Sequence, residues 1–195
     1  MNYRDVIEFM AGQRTDELVI TSAGSLSELW FGVTGDSERT FYLEASMSLA
    51  SMFAAGIAHG IAGHTVWAFN GDGAFCMNPG MLMVERQLDL PNLKHFVLSN
   101  RAYGSTSNTP LPGRADNDYA AIARGFGIER AFAFDDLDAF KTGFDDVVLS
   151  PGYAFIALEV KPYAYGKSSP PMDGPEVKFR FGRSVEELTG KRVFT

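Results

Sequence analysis

The chain has 195 residues, of which 46% are apolar, and a formal net charge of −7 at pH 7. This length and composition predict one domain with one sizeable core, and the acidic balance argues against a nucleic-acid partner, which selects for clustered Lys and Arg. Cys76 is the only cysteine, so an intrachain disulfide is excluded and a reducing compartment is the simplest interpretation.

The periodicity of apolar residues and the positions of turn residues predict alternating helices and strands. In the first part of the chain the last predicted strand is rich in β-branched and aromatic residues, and it ends at the turn residues Asn70-Gly71. The predicted elements are a helix at Tyr3–Ala11, a strand at Glu17–Thr21, a helix at Ser25–Phe31, a strand at Phe41–Leu43, a helix at Ser46–Gly60 and a strand at Thr65–Phe69.

In the rest of the chain, Asn78 is predicted to cap a helix whose first residue is Pro79. A loop at Asn100–Gly113 precedes a helix that Asp116 opens and Gly127 closes. Strands that alternate with helices predict an α/β fold, a parallel sheet with helices on both faces. The remaining predicted elements are strands at Lys94–Leu98, Ala131–Phe134 and Tyr153–Val160 and a helix at Asp136–Val147.

Neither a signal peptide nor a membrane span is expected. Residues 1–10 contain three charged side chains, so they lack the apolar stretch of a signal peptide. The most apolar segment, Leu49–Phe69, is interrupted by His59 and His64, and Gly63 splits it into a helix and a strand. We therefore expect a cytoplasmic protein.

Polar residues and glycines follow four of the predicted strands. They lie at Ser22–Ser25, Ala45–Ser48, Asp72 and Asn100. In open α/β sheets ligands bind outside the carboxyl ends of the strands, so we expect these four loops to meet at one edge. Each loop alone is explained as a turn, since Gly, Ser, Asn and Asp favour turns for backbone reasons. Four such loops together favour a binding site.

Asp72 and Asn100 are the candidate metal ligands. Mg²⁺ prefers oxygen ligands and is typically held by one or two carboxylates together with substrate phosphates. Gly71 and Gly73 allow close approach of the backbone, and the amides of Gly73 and Ala74 can face an anion. This loop has no Gly-Lys-Ser or Gly-Lys-Thr, and the chain has no Gly-x-Gly-x-x-Gly, which disfavours Walker-type ATP hydrolysis and dinucleotide binding.

The sequence resembles the thiamine diphosphate enzymes, whose diphosphate-binding domain has Gly-Asp-Gly followed a little under thirty residues later by Asn. The segment Phe41–Ser48, with Met47 twenty-five residues before Asp72, is similar to a family segment that ends in a Gly-Ser-Met-Gly type sequence. The resemblance implies the fold of that domain, a thiamine diphosphate cofactor and Mg²⁺. The motif residues are Asn70-Gly71-Asp72-Gly73-Ala74 and Asn100-Arg101-Ala102-Tyr103-Gly104-Ser105-Thr106.

The resemblance also implies roles for single positions. Asp72, the side chain of Asn100 and the carbonyl of Ala102 would bind the metal ion. The carbonyl of Ala45 would accept a hydrogen bond from the 4′-amino group of the cofactor, and Met47 would support its bent shape. The full set implied to bind the cofactor is Gly24, Ser25, Ala45, Ser46, Met47, Gly71, Asp72, Gly73, Ala74, Asn100, Ala102, Tyr103, Gly104 and Ser105.

The sequence departs from the family pattern in two places, each occupied by a small residue. Ala45 and Ser48 occupy positions where glycines are common, and Ser99 replaces a frequent asparagine. Contacts made by the backbone tolerate such exchanges, so the resemblance still implies thiamine diphosphate as the cofactor.

The family also needs a pyrimidine-binding domain, whose glutamate activates the cofactor. Residues 1–162 are predicted to form the diphosphate-binding domain, and the chain is too short to hold both. We therefore expect an α-type partner chain that supplies the glutamate, a hetero-oligomer that also self-associates, and no catalytic residue in this chain.

The pattern is similar to that of decarboxylases of small anionic 2-oxo acids such as sulfopyruvate and phosphonopyruvate. This resemblance implies a lyase subunit that depends on thiamine diphosphate. Two alternatives stay open, a carboligase subunit of the acetolactate synthase type and a non-catalytic cofactor-binding module.

Several other residues have weaker interpretations. Glu44 adjoins the segment expected at the amino edge of the cofactor, so a contact with substrate or with a backbone turn is favoured over an activating role. Arg101 is either a residue that steers an anionic substrate or a surface arginine. Cys76 is interpreted as a buried structural thiol, because no base is evident beside it.

The three histidines and the C-terminal segment are assigned no part in the site. His59 is expected to pack on a buried helix, His64 to lie on a turn and His95, near the start of a predicted strand, to be exposed. Residues 163–195 are predicted to form an irregular extension that packs on a partner chain.

Overall fold

The computed structural model describes residues 1–44, 46–106, 108–113, 117–162 and 169–194. Their strands are β1 (Leu18–Ser22), β2 (Thr40–Leu43), β3 (Val66–Gly71), β4 (Leu93–Ser99), β5 (Ala102–Tyr103), β6 (Thr109–Pro110), β7 (Ala131–Phe134) and β8 (Ala154–Glu159). Six of them form a sheet in the order β2-β1-β3-β4-β8-β7, and each neighbouring pair is parallel. β5 and β6 form a short antiparallel ribbon.

Helices connect the strands of the sheet. They are α1 (Tyr3–Gln13), α2 (Ser25–Thr34), α3 (Ala50–Gly60), α4 (Asp72–Met77), α5 (Met81–Leu88), α6 (Tyr119–Gly125), α7 (Leu137–Phe144) and α8 (Gly174–Thr189). A π-helical turn at Asp145–Leu149 continues α7.

Two apolar layers cover the sheet, because side chains along a strand alternate between its faces. In β1, Leu18 and Ile20 belong to one layer and Val19 to the other. Helices α3, α4, α5, α6 and α8 contribute buried side chains to the first layer, and α1, α2 and α7 contribute to the second. The predicted α/β fold, with helices on both faces of a parallel sheet, is therefore confirmed.

The chain order reverses at β1, whose neighbours in the sheet are β2 on one side and β3 on the other. At such a switch point the loops after two adjacent strands diverge and open a crevice at the carboxyl edge. Here the loops after β1 and β3 flank the crevice. The two strand ends are joined by a hydrogen bond of 3.3 Å from the backbone amide of Gly71 to Oγ of Ser22.

Helix α3 begins later than predicted. It starts at Ala50 and not at Ser46, because the preceding residues form a turn in which the Leu49 amide bonds to the Ser46 carbonyl at 3.1 Å. Its buried residues include Ala54 and Ala58, whose small side chains pack into the first apolar layer. Of the helices in the described part of the chain, none is long and apolar enough to cross a membrane.

The segment after β3 forms two helices where the sequence predicted one. Helix α4 begins directly at Asp72 and was not predicted, and Asn78 is its C-terminal cap. Helix α5 begins at Met81, with Gly80 as its N-terminal cap, so the predicted start at Pro79 is wrong. Pro79 and Gly80 instead lie in the turn between the two helices.

The predicted helix at Asp116 begins at a different residue. Asp116 itself lies outside the described residues, and α6 starts at Tyr119, where the Asp118 side chain accepts a hydrogen bond of 2.8 Å from the Ala121 amide. The helix ends shortly before Gly127, whose φ of 85° lies in the left-handed region that favours glycine.

Two further predictions are only partly met. The predicted loop at Asn100–Gly113 contains the β5–β6 ribbon. The predicted helix at Asp136–Val147 is α-helical only as far as Phe144, after which the π-helical turn follows. Asp136 is its N-terminal cap, since its side chain accepts a hydrogen bond from the Ala139 amide.

The C-terminal segment is not irregular over residues 174–189, which form α8. Phe181 and Val185, spaced four residues apart, are buried in this chain's own first layer, and the Phe181 ring lies edge-on to Phe41 with centroids 5.4 Å apart. Val177, one turn earlier in the helix, is also buried. Helical spacing of apolar residues therefore outweighed the Pro and Gly content of the preceding segment. Residues 163–168 and 195 lie outside the described residues, and the boundary at residue 162 stays a prediction.

We expect Asp36→Asn to lower the free energy of unfolding by about 1–3 kcal/mol. The Asp36 carboxylate accepts hydrogen bonds both from the residue that caps the end of α1 and from β2. Its Oδ2 accepts hydrogen bonds from Arg14 and from Thr40, each 2.6 Å long. Burial opposes ionisation of Asp36, but these two hydrogen bonds and the Arg14 charge lower its pKa. The stabilisation is therefore present above the pKa of an unfolded Asp and lost as the pH falls through the folded pKa.

Urea unfolding of wild type and Asp36→Asn at a series of pH values measures this difference, with Asp16→Asn as a control at a more exposed carboxylate. The two unfolding curves should converge at acidic pH. A difference that stays constant with pH would contradict an ionic role for Asp36.

Candidate functional site

A cleft at the carboxyl edge of the sheet brings most of the predicted site residues together. Its lining includes residues from the loops after β1, β3 and β4 and the segment before α3. Predicted residues that line it are Ser25, Met47, Gly71, Asp72, Gly73, Ala74, Asn100, Ala102, Tyr103, Gly104 and Ser105. Gly24 lies beside the cleft, Ser46 is half-buried before α3 but does not line it, and Ala45 lies outside the described residues.

Asp72 is held by three hydrogen bonds from its surroundings. Its Oδ1 accepts from the Gly73 amide at 2.8 Å, and its Oδ2 accepts from the Ser99 hydroxyl at 3.1 Å and the Arg101 amide at 2.6 Å. Burial nevertheless raises the pKa of Asp72 to about 6, against the effect of these donors. The carboxylate has a lone pair left for a cation, which would favour its ionised form.

Asn100 follows β4 directly and is buried beside Asp72. Its Oδ1 accepts a hydrogen bond of 3.0 Å from the Ala102 amide, which fixes the direction of the side chain and leaves a second lone pair on the oxygen. A Cβ atom at Gly104 would lie 2.7 Å from Nδ2 of Asn100. Glycine is therefore needed at position 104 for the side chain of Asn100 to occupy this place.

The turn after β1 presents an unused hydroxyl to the cleft. Ser25 is buried at the start of α2, and among the described residues its Oγ has no hydrogen-bond partner. Gly24, with φ of 107°, approaches the Ser105 side chain so closely that a Cβ atom would lie 2.9 Å from its Oγ. A buried hydroxyl without a partner fits a site whose ligand supplies the acceptor.

Glu44 contacts this same turn. Burial raises its pKa, while the Ser27 side chain and the Gly24 backbone contribute hydrogen bonds that act in the opposite direction. The sequence favoured a contact with substrate or with a backbone turn, and the structure shows the contact with the turn. Glu44 therefore supports the backbone that presents Ser25.

Tyr103 and Met47 pack over Gly73. A Cβ atom at Gly73 would lie 2.7 Å from the Tyr103 ring and 3.5 Å from Cε of Met47, so only glycine fits this contact unless the ring moves. Tyr3, from the start of α1, also lines the cleft, and burial and then the Asp72 carboxylate raise its pKa.

Tyr3, Ala23, Leu26 and Leu98 line the cleft but were not predicted to do so. Tyr3 and Leu26 belong to the apolar faces of helices, where the sequence pattern indicates only the core. Ala23 lies within the predicted loop Ser22–Ser25 and Leu98 lies two residues before Asn100, so the positions of both residues in the sequence already indicated that they are near the site.

The cleft is uncharged except for one carboxylate. Among the described residues that line it, Asp72 is the only acidic side chain, and none is Lys, Arg or His. Within the described part of the chain no cluster of three His, Cys, Asp or Glu side chains could hold a metal ion. The available donors are therefore one carboxylate, amide and hydroxyl oxygens, and backbone groups, a set suited to a hard cation that arrives with a phosphorylated ligand.

Arg101 does not line the cleft, although its backbone donates to Asp72. Its guanidinium forms a two-pronged ion pair with Glu159, donates to the Asn117 carbonyl at 2.6 Å and lies 5.3 Å from the centre of the Tyr119 ring. Its φ of 63° is a left-handed conformation that is uncommon for a residue with a side chain. The side chain therefore anchors the turn that contains Asn100.

We expect Arg101→Ala to weaken metal-dependent ligand binding roughly tenfold, because the turn that orients Asn100 loses its anchor. Glu159→Gln removes the charge at the other end of the ion pair and should have an effect of the same sign. Arg124→Ala, which removes an arginine bonded to the Ala131 carbonyl away from the cleft, is the control.

Calorimetric titration measures these affinities. If Arg101→Ala lowers turnover of an anionic substrate but leaves cofactor affinity unchanged, the anchor role is wrong and the substrate-steering alternative is favoured.

The other residues singled out from the sequence lie outside the cleft. Cys76 is half-buried with its Sγ 4.0 Å from the Tyr119 hydroxyl, and burial raises its pKa, which fits a structural thiol. His59 is exposed at the end of α3, so the expectation that it packs on a buried helix is wrong, and His64 is partly exposed on a turn. His95 is fully buried, so the expectation that it is exposed is wrong.

A larger surface groove of about 1300 Å³ lies at the opposite end of the sheet. It is lined by residues that precede β4, β7 and β8, including Asp89, Glu129 and Arg130. Because ligands of open α/β sheets bind at the carboxyl ends of the strands, the smaller cleft is the candidate site.

Known proteins resemble this chain over most of its length. A family model described as "Thiamine pyrophosphate enzyme, C-terminal TPP binding domain" matches residues 34–158, which include most of the described cleft. Sulfopyruvate decarboxylase subunit beta of Methanothermobacter thermautotrophicus is 32% identical over 189 residues, which cover 95% of this chain and 96% of the relative. The protein of the same name from Methanocaldococcus jannaschii is 26% identical over 170 residues, 87% of this chain and 89% of the relative.

Two longer proteins match over part of their length. Sulfopyruvate decarboxylase of Methanosarcina acetivorans is 28% identical over 183 residues, which cover 93% of this chain and 46% of that protein. In the crystal structure of benzoylformate decarboxylase from Polynucleobacter necessarius, the match has a TM-score of 0.70 and 18% identity and covers 88% of this chain but only 34% of that one. At this identity the solved structure shows the fold alone.

Proposed function

This chain belongs to the thiamine pyrophosphate enzymes, whose C-terminal TPP binding domain it shares, and we propose that it is the diphosphate-binding subunit of a two-chain 2-oxo acid decarboxylase. Thiamine pyrophosphate is thiamine diphosphate, abbreviated TPP below. The proposed substrate is a small anionic 2-oxo acid, and the names of the relatives favour sulfopyruvate.

The observation that supports this function most strongly is the donor set of the cleft. The described lining holds one carboxylate and no cationic side chain, so within this lining a metal ion held by the carboxylate is the counter-charge available to a diphosphate. Asp72 and Asn100 each retain an oxygen lone pair, and the Ser25 hydroxyl lacks an acceptor among the described residues. These features fit a diphosphate held through Mg²⁺.

Each residue then has a role in binding. Asp72, the side chain of Asn100 and the carbonyl of Ala102 would bind Mg²⁺, while the amides of Gly73 and Ala74 and the Ser25 hydroxyl would donate to diphosphate oxygens. Met47 would support the bend of the cofactor from the wall of the cleft. The remaining proposed cofactor contacts are Gly24, Ala45, Ser46, Gly71, Tyr103, Gly104 and Ser105.

The bound cofactor supplies the electron sink for decarboxylation, and the protein supplies orientation and electrostatics. In the overall reaction the bond between the carboxylate and the keto carbon breaks, carbon dioxide leaves, and a proton takes its place to give the aldehyde. This chain contributes the anchor of the cofactor, and we assign no proton transfer to it.

A partner chain is part of the proposal for two reasons. The cleft has a volume of about 40 Å³, far below the roughly 300–1,000 Å³ of sites that enclose a small ligand, so another surface must cover the rest of the cofactor. Two relatives that match over nearly their whole length are named as beta subunits, and in the longer Methanosarcina protein more than half of the chain lies outside the match. The partner would provide the activating glutamate.

The test is reconstitution of this chain with a pyrimidine-binding partner from the same source. With TPP and Mg²⁺, the pair should release carbon dioxide and an equimolar amount of aldehyde from sulfopyruvate, whereas either chain alone should not. A reconstituted pair that binds no TPP would overturn the proposal. Formation of a carbon–carbon bond with a second 2-oxo acid would favour the carboligase alternative.

A further inference from the structure

A chain of hydrogen bonds runs behind the cleft through four buried side chains, which we call the buried relay: Tyr153, Glu85, His95 and Asn70. The Tyr153 hydroxyl donates to Oε2 of Glu85, the same oxygen lies 2.9 Å from Nδ1 of His95, and Nε2 of His95 lies 2.8 Å from Nδ2 of Asn70. Tyr153 is 4% exposed and the other three are 0% exposed. None of the four lines the cleft.

The hydrogen-bond partners of His95 indicate which ring nitrogen donates. Nδ2 of Asn70 is only a donor, so Nε2 of His95 must accept from it, and the ring proton then lies on Nδ1 and is donated to Glu85. Burial opposes ionisation of Glu85, but the electrostatic attraction of the adjacent His95 and the hydrogen bonds from His95 and Tyr153 keep its pKa below the ordinary range. Glu85 is therefore a carboxylate that holds His95 in one tautomer, with Nε2 facing Asn70.

Stability alone is a poor explanation for the buried relay. Burial of ionised and polar groups costs free energy that their mutual attraction often does not recover, and apolar replacements of similar volume are frequently neutral. Oδ1 of Asn70 and Oε1 of Glu85 have no hydrogen-bond partner among the described residues, which adds to the cost. What a buried polar network can provide is a single fixed arrangement of the groups that it joins.

The buried relay ends at the part of β3 that is least supported by the sheet. On one side β3 pairs with β4 as far as Gly71, but on the other side its pairing with β1 stops at Phe69. Beyond that point the described residues of β1 reach β3 through the 3.3 Å bond from the Gly71 amide to Ser22. Asn70 lies in this stretch, two residues before Asp72. Its side-chain hydrogen bond to His95 therefore holds the backbone that leads into Asp72.

We infer that His95 is a positioning residue: by accepting the hydrogen bond of Asn70, it fixes the end of β3 and thereby the place of Asp72 in the metal site. Glu85 sets the tautomer that makes this possible. The inference rests on the proposed function, because it assigns the relay to the same TPP and Mg²⁺ site. It predicts that the link between His95 and Asn70 matters for cofactor binding, while the link between His95 and Glu85 matters chiefly for stability.

Two substitutions separate the two links. In His95→Asn, the side-chain amide takes the place of Nδ1, so the bond to Glu85 is kept and the acceptor for Asn70 is lost. In His95→Gln, the longer side chain places an oxygen near the position of Nε2, so the acceptor for Asn70 is kept and the donor to Glu85 is lost. Each variant is measured in the complex with its partner by calorimetric titration of TPP with Mg²⁺, and by urea unfolding.

The two His95 variants should rank in one order by their affinity for TPP and in the opposite order by their stability to urea. His95→Asn should bind TPP roughly tenfold more weakly than wild type, as for loss of a residue that orients a metal site, and His95→Gln should bind as wild type does. His95→Gln should nevertheless unfold at lower urea concentration than His95→Asn, because Glu85 loses a donor. Wild-type affinity in His95→Asn, or losses of affinity that follow losses of stability, would overturn the inference.

Asn70→Ala tests the same link from the other side and leaves His95 and Glu85 in place. It should weaken TPP binding about as much as His95→Asn does, roughly tenfold, and unchanged affinity in a folded Asn70→Ala complex would also overturn the inference, even if neither His95 variant folds. Failure of the wild-type complex to bind TPP would instead refute the proposed function. The two failures are therefore distinguishable.

Discussion

Asp72→Asn is expected to reduce the affinity of the complex for TPP in the presence of Mg²⁺ by more than about 100-fold, or about 3 kcal/mol. Asp72 is the only carboxylate among the described residues of the cleft, which has no described cationic side chain. Without the carboxylate the site cannot retain the metal, and without the metal nothing offsets the charge of the diphosphate. Titration calorimetry with and without Mg²⁺ measures the effect.

Asn keeps the size of Asp72 and one side-chain oxygen acceptor, so the variant is expected to fold and to bind its partner. Asp136→Asn makes the same chemical change at an exposed helix cap, where Asp and Asn are equivalent, and should leave TPP affinity unchanged. If Asp72→Asn retains Mg²⁺-dependent binding close to that of wild type, Asp72 is not a metal ligand. Weakened binding in the Asp136 variant as well would indicate a general effect of charge.

The position of the site could be predicted because it follows from the order of the elements. Strands that alternate with helices must be parallel, and parallel strands have their carboxyl ends at one edge. Asp72 and Asn100 each follow a strand directly, and those strands, β3 and β4, are neighbours in the sheet. Their meeting in one cleft therefore needed no knowledge of side-chain packing.

The buried relay could not be predicted from motifs, because its members are distant in sequence and lie on a helix, two strands and a loop. Part of the signal was nevertheless available. His95 is followed by the apolar residues Phe96, Val97 and Leu98, as is typical of a strand covered on both faces. Glu85 occupies the apolar face of α5 with Leu82. Polar residues at positions of this kind indicate a buried network.

The interpretation of Arg101 depended on a backbone conformation that the sequence does not reveal. Its left-handed φ turns the chain so that its amide reaches Asp72 while its side chain reaches Glu159, fifty-eight residues later in the sequence. The sequence offered a substrate-steering residue or a surface arginine, and it did not indicate the ion pair with Glu159. Local sequence indicates a turn there, but the partner of the guanidinium is set by the neighbouring strand β8.

Gly104→Ala should weaken Mg²⁺-dependent binding of TPP at least about tenfold, which is the scale for a displaced metal-site residue. The added Cβ would lie 2.7 Å from Nδ2 of Asn100, closer than non-bonded atoms can approach, so the amide must leave the place in which its oxygen accepts from the Ala102 amide. The loss is steric, because the backbone of Gly104 is not in the left-handed region that excludes alanine. Calorimetric titration of the complex with its partner measures the affinity.

The matched control is Gly56→Ala, within α3, where nothing lies within 4 Å of the added atom. That variant should bind TPP as wild type does and unfold at the same or higher urea concentration, since alanine favours a helix over glycine by up to about 1 kcal/mol. Wild-type affinity in Gly104→Ala would mean that Asn100 can move without loss of the metal, and would remove its side chain from the proposed ligands. Asp72 would then be the only side-chain ligand left in the proposed set, with the carbonyl of Ala102.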